Sequence, residues 1–363
     1  MRIAILGTRG IPAQYGGFET FAEELGQRLA KRGHRVTVYC RQRHDSPTYL
    51  GVNLVYLPTI RHKYFETLAH TAVSFLHAVF QRYDVILCCN AANAIFCWLP
   101  RLFGTPVALN VDGLERNRKK WNRVAKSWYL LSERLSTILP SHAVSDAVAI
   151  RAYYQERYKA ETTFIPYGAE MGTVPTHAKL TELGLTPGQY FLYVSRWEPE
   201  NNPLLVRLAF ETVQTPMHLA LIGDAPYAPE YIAQVRNTTD PRIVMPGYVF
   251  GQGYKELGSY CFAYIHATEV GGTHPALIEA MGRGALILYL ETIENTEVAG
   301  GCGLPFRPET LAEAMQQALA LPAAEADRLR ASAVRKVREK YSWDAVTRAY
   351  EQLFQTLSGE PRR

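Results

Sequence analysis

Two series of short apolar runs, each alternating with stretches of helical period, fill this chain and leave few folds open to it. The first series falls at 2–7, 35–40, 84–89, 106–111 and 162–165; the second at 190–195, 218–223, 242–246, 261–266 and 285–290. Runs that are apolar on both faces suit parallel strands covered by helices on each side. Strand–helix–strand order with short Gly- or Pro-containing connections gives a doubly wound α/β sheet, and here it occurs twice. The length of 363 residues agrees, being too long for one core and suited to two of ~150. Two such sheets facing each other would leave a cleft at the carboxyl ends of their strands, where ligands bind in this class.

The turn-rich stretch 167–188 has no clear period and reads as the interdomain connection. An amphipathic last helix is expected at 344–357, after Ser342 as its cap. At 47% apolar and 20% charged residues there is side chain enough to fill both cores, which excludes disorder as the dominant state. A net charge of +5 over this length is no nucleic-acid signature. The six cysteines include no CxxC pair and mostly sit in apolar stretches, as in a reduced cytoplasmic chain. The stretch most like a membrane span, 69–80, is broken by His70, Thr71, Ser74 and His77, and falls short of the ~20 residues a span needs. The apolar run that opens the chain is too short for a signal-peptide core.

Four places carry chemistry. The run at 2–7 leads to Gly16-Gly17 at a helix start, where backbone N–H groups can approach an anion or a sugar; the alternative is a Gly-rich turn. The loop is neither GxGxxG nor a Walker loop, which disfavours a nicotinamide oxidoreductase. After the run at 261–266 come Glu269, Gly271, Gly272, Thr273 and His274, with Pro275 at a first helical position, an arrangement suited to a diphosphate. Glu279, four residues into that helix, can accept hydrogen bonds from vicinal ribose hydroxyls. Arg196 follows the run at 190–195 and can clamp a phosphate, or else pair with Glu198 or Glu200. Asp112 follows the run at 106–111, either facing the cleft or belonging to an Asp-Gly turn.

In this order and spacing the four places resemble the retaining, two-domain (GT-B) glycosyltransferases of family 4, across essentially the whole chain. The versions Tyr15-Gly16-Gly17-Phe18-Glu19, Val111-Asp112-Gly113-Leu114-Glu115, Pro199-Glu200-Asn201-Asn202 and Gly271-Gly272-Thr273-His274-Pro275 are similar to a bacterial branch of rhamnosyltransferases. The resemblance implies two Rossmann-like domains facing a cleft: an acceptor domain at 1–170, a nucleotide-sugar domain at 171–341, and a terminal helix at 342–363 crossing back to the first. Three departures stand out. The family has two glutamates seven residues apart; Glu279 is the second, but Gly271 stands at the first, with Glu269 as candidate replacement. Asn201 stands where the family has a lysine, and Asp112 where many members have a histidine. The candidate catalytic residues are therefore Asp112 and Glu269. The candidate substrate-binding residues are Gly16, Gly17, Arg196, Asn201, Gly271, Gly272, Thr273, His274 and Glu279.

The implied reaction is metal-independent transfer with retention and no cofactor, the nucleotide-diphosphate sugar being a substrate. The donor implied is dTDP-L-rhamnose and the acceptor a glycan or lipid-linked diphosphate, in bacterial surface-polysaccharide synthesis. The alternatives are a UDP-hexose-dependent transferase and a UDP-sugar 2-epimerase. Nothing suggests nucleic acid as a partner. Between Arg116 and Lys126 lie six basic residues and no acid. At helical spacing Trp121, Val124, Ala125, Trp128, Leu131 and Leu135 form a stripe opposite Arg116, Lys119, Lys120, Arg123 and Lys126. Either the stripe packs on the first domain and the basic face is solvated, or 116–135 makes a peripheral contact with anionic lipid on the inner face of the cell membrane.

Overall fold

The computed structural model describes residues 1–13, 16–60, 66–117, 122–225 and 228–359. The chain opens with β1 (Arg2–Leu6), α1 (Gly17–Lys31), β2 (Arg35–Cys40), β3 (Thr48–Tyr49), β4 (Val52–Tyr56) and α2 (Glu66–Val79). It continues with β5 (Val85–Cys89), α3 (Trp98–Leu102), β6 (Val107–Asn110), α4 (Arg123–Leu135), β7 (His142–Ser145), α5 (Val148–Tyr158) and β8 (Thr163–Phe164). Next come α6 (Ala178–Glu182), β9 (Tyr190–Val194), α7 (Pro203–Thr212), β10 (His218–Ile222), α8 (Pro229–Arg236), β11 (Ile243–Val244), α9 (Gly251–Tyr260) and β12 (Ala263–His266). Last are α10 (Pro275–Gly282), β13 (Leu286–Leu290), α11 (Ile293–Ala299), β14 (Gly303–Phe306), α12 (Leu311–Ala320), α13 (Ala323–Lys340) and α14 (Trp343–Gly359).

These elements form two compact units, one of residues 1–168 with 343–363 and one of 169–342. The first holds a sheet of order β3-β4-β2-β1-β5-β6-β7-β8, parallel except for the β3–β4 pair. Its middle strands β2, β1 and β5 are buried almost throughout because their residues are apolar on both faces. The second unit holds a wholly parallel sheet of order β11-β10-β9-β12-β13-β14 over a core that includes Phe191, Trp197, Phe210, Leu288 and Met315.

In the first unit, α1 buries Phe21, Ala22, Leu25 and Leu29 on one stripe and ends before Gly33, whose φ of +89° a side chain would oppose. Phe21 meets Tyr350 of α14 edge-to-face at 5.4 Å and Tyr167 at 5.4 Å, so the terminal helix completes this core. Glu351 of α14 holds Arg32 at 2.6 Å and His34 at 2.7 Å. The chain leaves the first unit at Gly168, where a β-carbon would stand 2.3 Å from the Trp343 indole. In the second unit, Ala169 bridges to Ser342 and its N–H donates to the Tyr341 carbonyl at 2.7 Å.

Three expectations need correction. The stretch 169–188 is no linker. It belongs to the second unit, where Gly172 N–H bonds the Gly282 carbonyl, Val174 N–H bonds Ser259 Oγ, and α6 packs on α9. Its turn residues serve that surface path. Second, the stripe on α4 packs inward only in part: Leu135 lies on the core and Ala125 and Trp128 are half-buried, but Val124 and Leu131 are 78% and 48% exposed, while Ser132 and Glu133 are buried. Third, Arg116 is not on a solvated basic face. It donates to Glu133 Oε1 at 2.7 Å and to Tyr153 Oη at 2.8 Å, because the buried Glu133 carboxylate needs a charged partner. Arg118, Lys119, Lys120 and Trp121, like Tyr15 of the first glycine loop, lie outside the described residues.

Candidate functional site

The richest cluster lies in the second unit. Strands β9 and β12 are neighbours, so the loops leaving their carboxyl ends run side by side. Asn202 ties them together. It adopts a left-handed conformation at φ +60°, which asparagine tolerates, and caps the start of α7. Its Nδ2 donates to the Ala267 carbonyl at 2.9 Å and to Glu269 Oε1 at 3.0 Å. The Glu269 N–H in turn donates to the Glu200 carbonyl at 2.9 Å. The candidate residue Glu269 is therefore part of the seam between the loops.

Arg196 sits on the β9 side of this seam. Its backbone is held firmly: the carbonyl accepts from the Glu198 N–H at 2.8 Å and from Asn201 Nδ2 at 2.7 Å. Behind it Trp197 is wholly buried, and Gly223 is pressed so close that a β-carbon would lie 1.9 Å from the Ser195 carbonyl oxygen. The guanidinium stays about one-third exposed, 3.8 Å from Glu198 Oε2. Asn201, by contrast, is buried and spends its amide on the loop backbone.

On the β12 side, Gly272 and Thr273 are buried, and His274 precedes Pro275 at the start of α10. Pro at the first helical position lacks only an N–H that the helix would not use, and the helix dipole points its positive end at this loop. His274 folds back over Gly271 and rests on the buried His266 ring, centroids 4.7 Å apart. Burial, with His274 next to it, holds His266 well below its ordinary pKa, so that ring is neutral.

Helix α10 buries Leu277, Ile278, Ala280 and Met281, leaving Glu279 half-buried between them. The Tyr254 hydroxyl on α9 donates to Glu279 Oε2 at 2.6 Å. Burial first, and the carboxylate second, push the Tyr254 pKa well up, so the phenol keeps its proton and remains a donor. Tyr254 and Asn202 are the members of this cluster that motif reading passed over. The Asn-Asn-Pro run could have signalled a left-handed residue before a helix, whereas nothing in the α9 sequence marks Tyr254.

The other candidates lie in the first unit. Gly16 caps α1, and a β-carbon there would stand 2.5 Å from Glu19 Oε2. The buried Glu19 also accepts the Arg9 N–H at 3.0 Å, so the positive end of α1, with Gly17 as its first residue, already faces a carboxylate of the chain. Asp112, just past β6, has φ +61°, and its N–H donates to Asn110 Oδ1 at 3.0 Å. Strained non-glycine residues of this kind gather at functional sites. Among the described residues, no three His, Cys, Asp or Glu side chains gather as a metal-ligand set. Nor is any described helix long and apolar enough to cross a membrane.

A family model described as a domain of unknown function (DUF1972) matches residues 1–170. No curated protein matches the sequence. Among solved structures, a sucrose-phosphate synthase from Thermosynechococcus elongatus is 21% identical, covers 98% of each chain and superposes with a TM-score of 0.81. HepE from Anabaena, in complex with UDP and glucose, is 16% identical over 99% of this chain and all of its own, with a TM-score of 0.80. WaaG, a glycosyltransferase involved in lipopolysaccharide biosynthesis, is 15% identical over 98% of this chain and all of its own, at 0.74. At such identities what is shared is the fold. It is the two-sheet α/β architecture called GT-B.

Proposed function

We propose that this protein is a retaining glycosyltransferase that takes a sugar from a nucleotide diphosphate. The observation that carries the reading is the seam in the second unit. It joins the loops that carry a one-third-exposed arginine and a glycine-rich turn at the carboxyl ends of adjacent strands, and the helix that follows the second loop bears a Tyr-oriented glutamate. Arg196 and the positive end of α10 suit the two phosphates, and Glu279 suits a ribose diol. The HepE structure holding UDP and glucose on the same fold supports a nucleotide sugar as the ligand class.

In the reaction the bond from the anomeric carbon to the diphosphate oxygen breaks, one to an acceptor hydroxyl oxygen forms on the same face, and the hydroxyl proton passes to the departing diphosphate. The charge gathering on the leaving diphosphate is met by Arg196, the backbone of Gly272–Thr273 and the α10 dipole, a preorganised field in place of solvent. Asp112 orients a hydroxyl of the transferred sugar or stabilises its oxocarbenium-like charge. We propose dTDP-L-rhamnose as donor and a glycan or lipid-linked acceptor of surface-polysaccharide synthesis, on the four motif versions at 15–19, 111–115, 199–202 and 271–275 taken together. A UDP-hexose is the alternative donor.

Contact with a membrane is part of the proposal. On one face of the first unit α2 packs on α3, and the turn 91–96 links both to α4. This face exposes Leu76 and Phe80, Trp98 and Leu102, and Val124 and Leu131. Exposed Arg101, Arg123, Lys126 and Arg134 stand among them, while of the acids on these helices Glu66 is half-buried and paired with Arg41 and Glu133 is buried. Apolar side chains within a basic rim suit an anionic bilayer surface.

A thermal-shift series over UDP, dTDP and GDP, followed by product analysis with the matching sugars, tests the reading. One nucleotide raises the melting temperature of the wild type and leaves Arg196→Ala unmoved. Absence of any shift across all three overturns it, and sugar isomerised without acceptor indicates an epimerase. Sedimentation with anionic and with neutral vesicles tests the membrane contact, which equal binding to both refutes.

A further inference from the structure

Asn110, the last residue of β6, is buried and bonded at both ends of its amide. One end faces the backbone N–H of Asp112 at 3.0 Å and the other the Tyr350 hydroxyl at 2.9 Å. A backbone N–H can only donate, so the atom facing Asp112 is Oδ1. The atom facing Tyr350 is then the NH2 group, and the phenol oxygen accepts. Were the amide turned over, two donors would face each other at Asp112. The Asp112 N–H thus sets which way the amide lies, and the Tyr350 hydroxyl, accepting from Nδ2, anchors the amide that holds Asp112.

Tyr350 suits that duty. It is wholly buried on α14, with its ring fixed by Phe21 at 5.4 Å and Phe354 at 5.7 Å. Burial keeps its hydroxyl protonated far above neutral pH, so the oxygen remains a neutral acceptor. Asp112 needs such support: its φ of +61° is a conformation that a non-glycine residue keeps only where its surroundings hold it.

We propose that Tyr350 is a positioning residue for Asp112, acting through the Asn110 amide, so that the last helix sets the aim of a carboxylate at the end of β6. The inference rests on the reading in which Asp112 faces the transferred sugar. It extends that reading to a residue 238 positions away in the chain.

Tyr350→Phe, which removes one oxygen and keeps the ring, is the test. Amide hydrogen exchange at Asp112, measured by NMR on the full chain, speeds up by about tenfold or more, as for a bond to a mobile acceptor. Asn110→Ala, which removes the acceptor, sets the upper limit. In turnover, kcat falls by about tenfold while KM for the donor stays within about twofold, the mark of a misplaced group rather than lost binding. In an Asp112→Ala background, Tyr350→Phe lowers kcat no further. Unchanged exchange at Asp112, or an equal kcat loss in both backgrounds, overturns the relay. If the wild type turns over no nucleotide sugar, the transferase reading fails, while the exchange measurement still judges the relay.

Discussion

The imidazole of His274 fills the space beside Gly271: a β-carbon built on that glycine would stand 2.3 Å from the ring's Cε1. Gly271 is not in the left-handed region, so its lack of a side chain serves the neighbouring ring rather than the backbone. The room beside Gly271 is taken by a histidine three residues on.

Gly271→Ala should therefore fold, because the atoms in its way belong to a side chain that can swing aside. With His274 displaced, kcat/KM is expected to fall by about tenfold with little change in melting temperature. Gly271→Ala added to His274→Ala should cost nothing more. Steady-state kinetics on the three variants check this, and a further loss in the double variant refutes it.

Arg196→Ala and Glu279→Ala should each lower activity by ~10²-fold or more, as for losing one preorganised group. Tyr254→Phe is expected to be milder and to act on nucleoside affinity, since it frees the Glu279 carboxylate to rotate. Calorimetric titration with the cognate nucleotide separates the cases: the Tyr254 variant binds more weakly but still binds.

Asn202→Ala loses two hydrogen bonds and puts alanine at φ +60°, whereas Asn202→Gly loses the bonds alone. Alanine should cost ~2 kcal/mol or more in chemical denaturation and glycine about 1 kcal/mol less than that. Both should weaken nucleotide binding, because the seam between the loops opens.

His70 supplies a pH test. Burial, aided by the nearby Arg41 charge, pulls its pKa down to about 4 from an ordinary 6.5. Above pH 6.5 it is neutral folded and unfolded alike, and stability is whole. As pH falls toward 4 the unfolded chain takes up a proton that the folded chain refuses, so stability drops, by about 2 kcal/mol at pH 5. Urea unfolding at pH 7 and pH 5 should show this loss, and His70→Leu should lessen it.

Much of the fold could be read from the apolar runs, because a strand buried on both faces has no polar residue to blur it: β2 spans 35–40 as expected and β13 fills 286–290. The strands that escaped notice are short, lie at or next to an edge, or carry polar residues. The residues of β4 are mostly half-buried around Asn53, β7 includes His142 and Ser145, and β14 carries Pro305, tolerable because it lies at the sheet margin. On α4 apolar spacing alone left open whether the stripe packs inward, and it does so only in part, at Leu135 and to a lesser degree at Ala125 and Trp128. The helix instead buries Glu133, whose partners Arg116, Tyr153 and Tyr158 come from other elements. Of the candidate site, Arg196 and Gly272 could be read from the loops after apolar runs, and Glu279 from the helix after the second of them. Tyr254 and Tyr350 act through contacts that no local pattern records.

The chain crosses between its units twice, at 168–169 and at 342–343, with Trp343 laid over Gly168. On the ribosome this reverses the usual order. The piece made first, 1–168, leaves the tunnel without the aromatic face of α14 that covers Phe21 and Tyr167, and it waits while the whole of 169–342 is translated. The second unit, continuous in the message, can finish before the first. A premature stop codon before 343 would thus spare the unit nearest to it and cripple the one farther upstream, and 1–170 expressed alone would be an unfinished core.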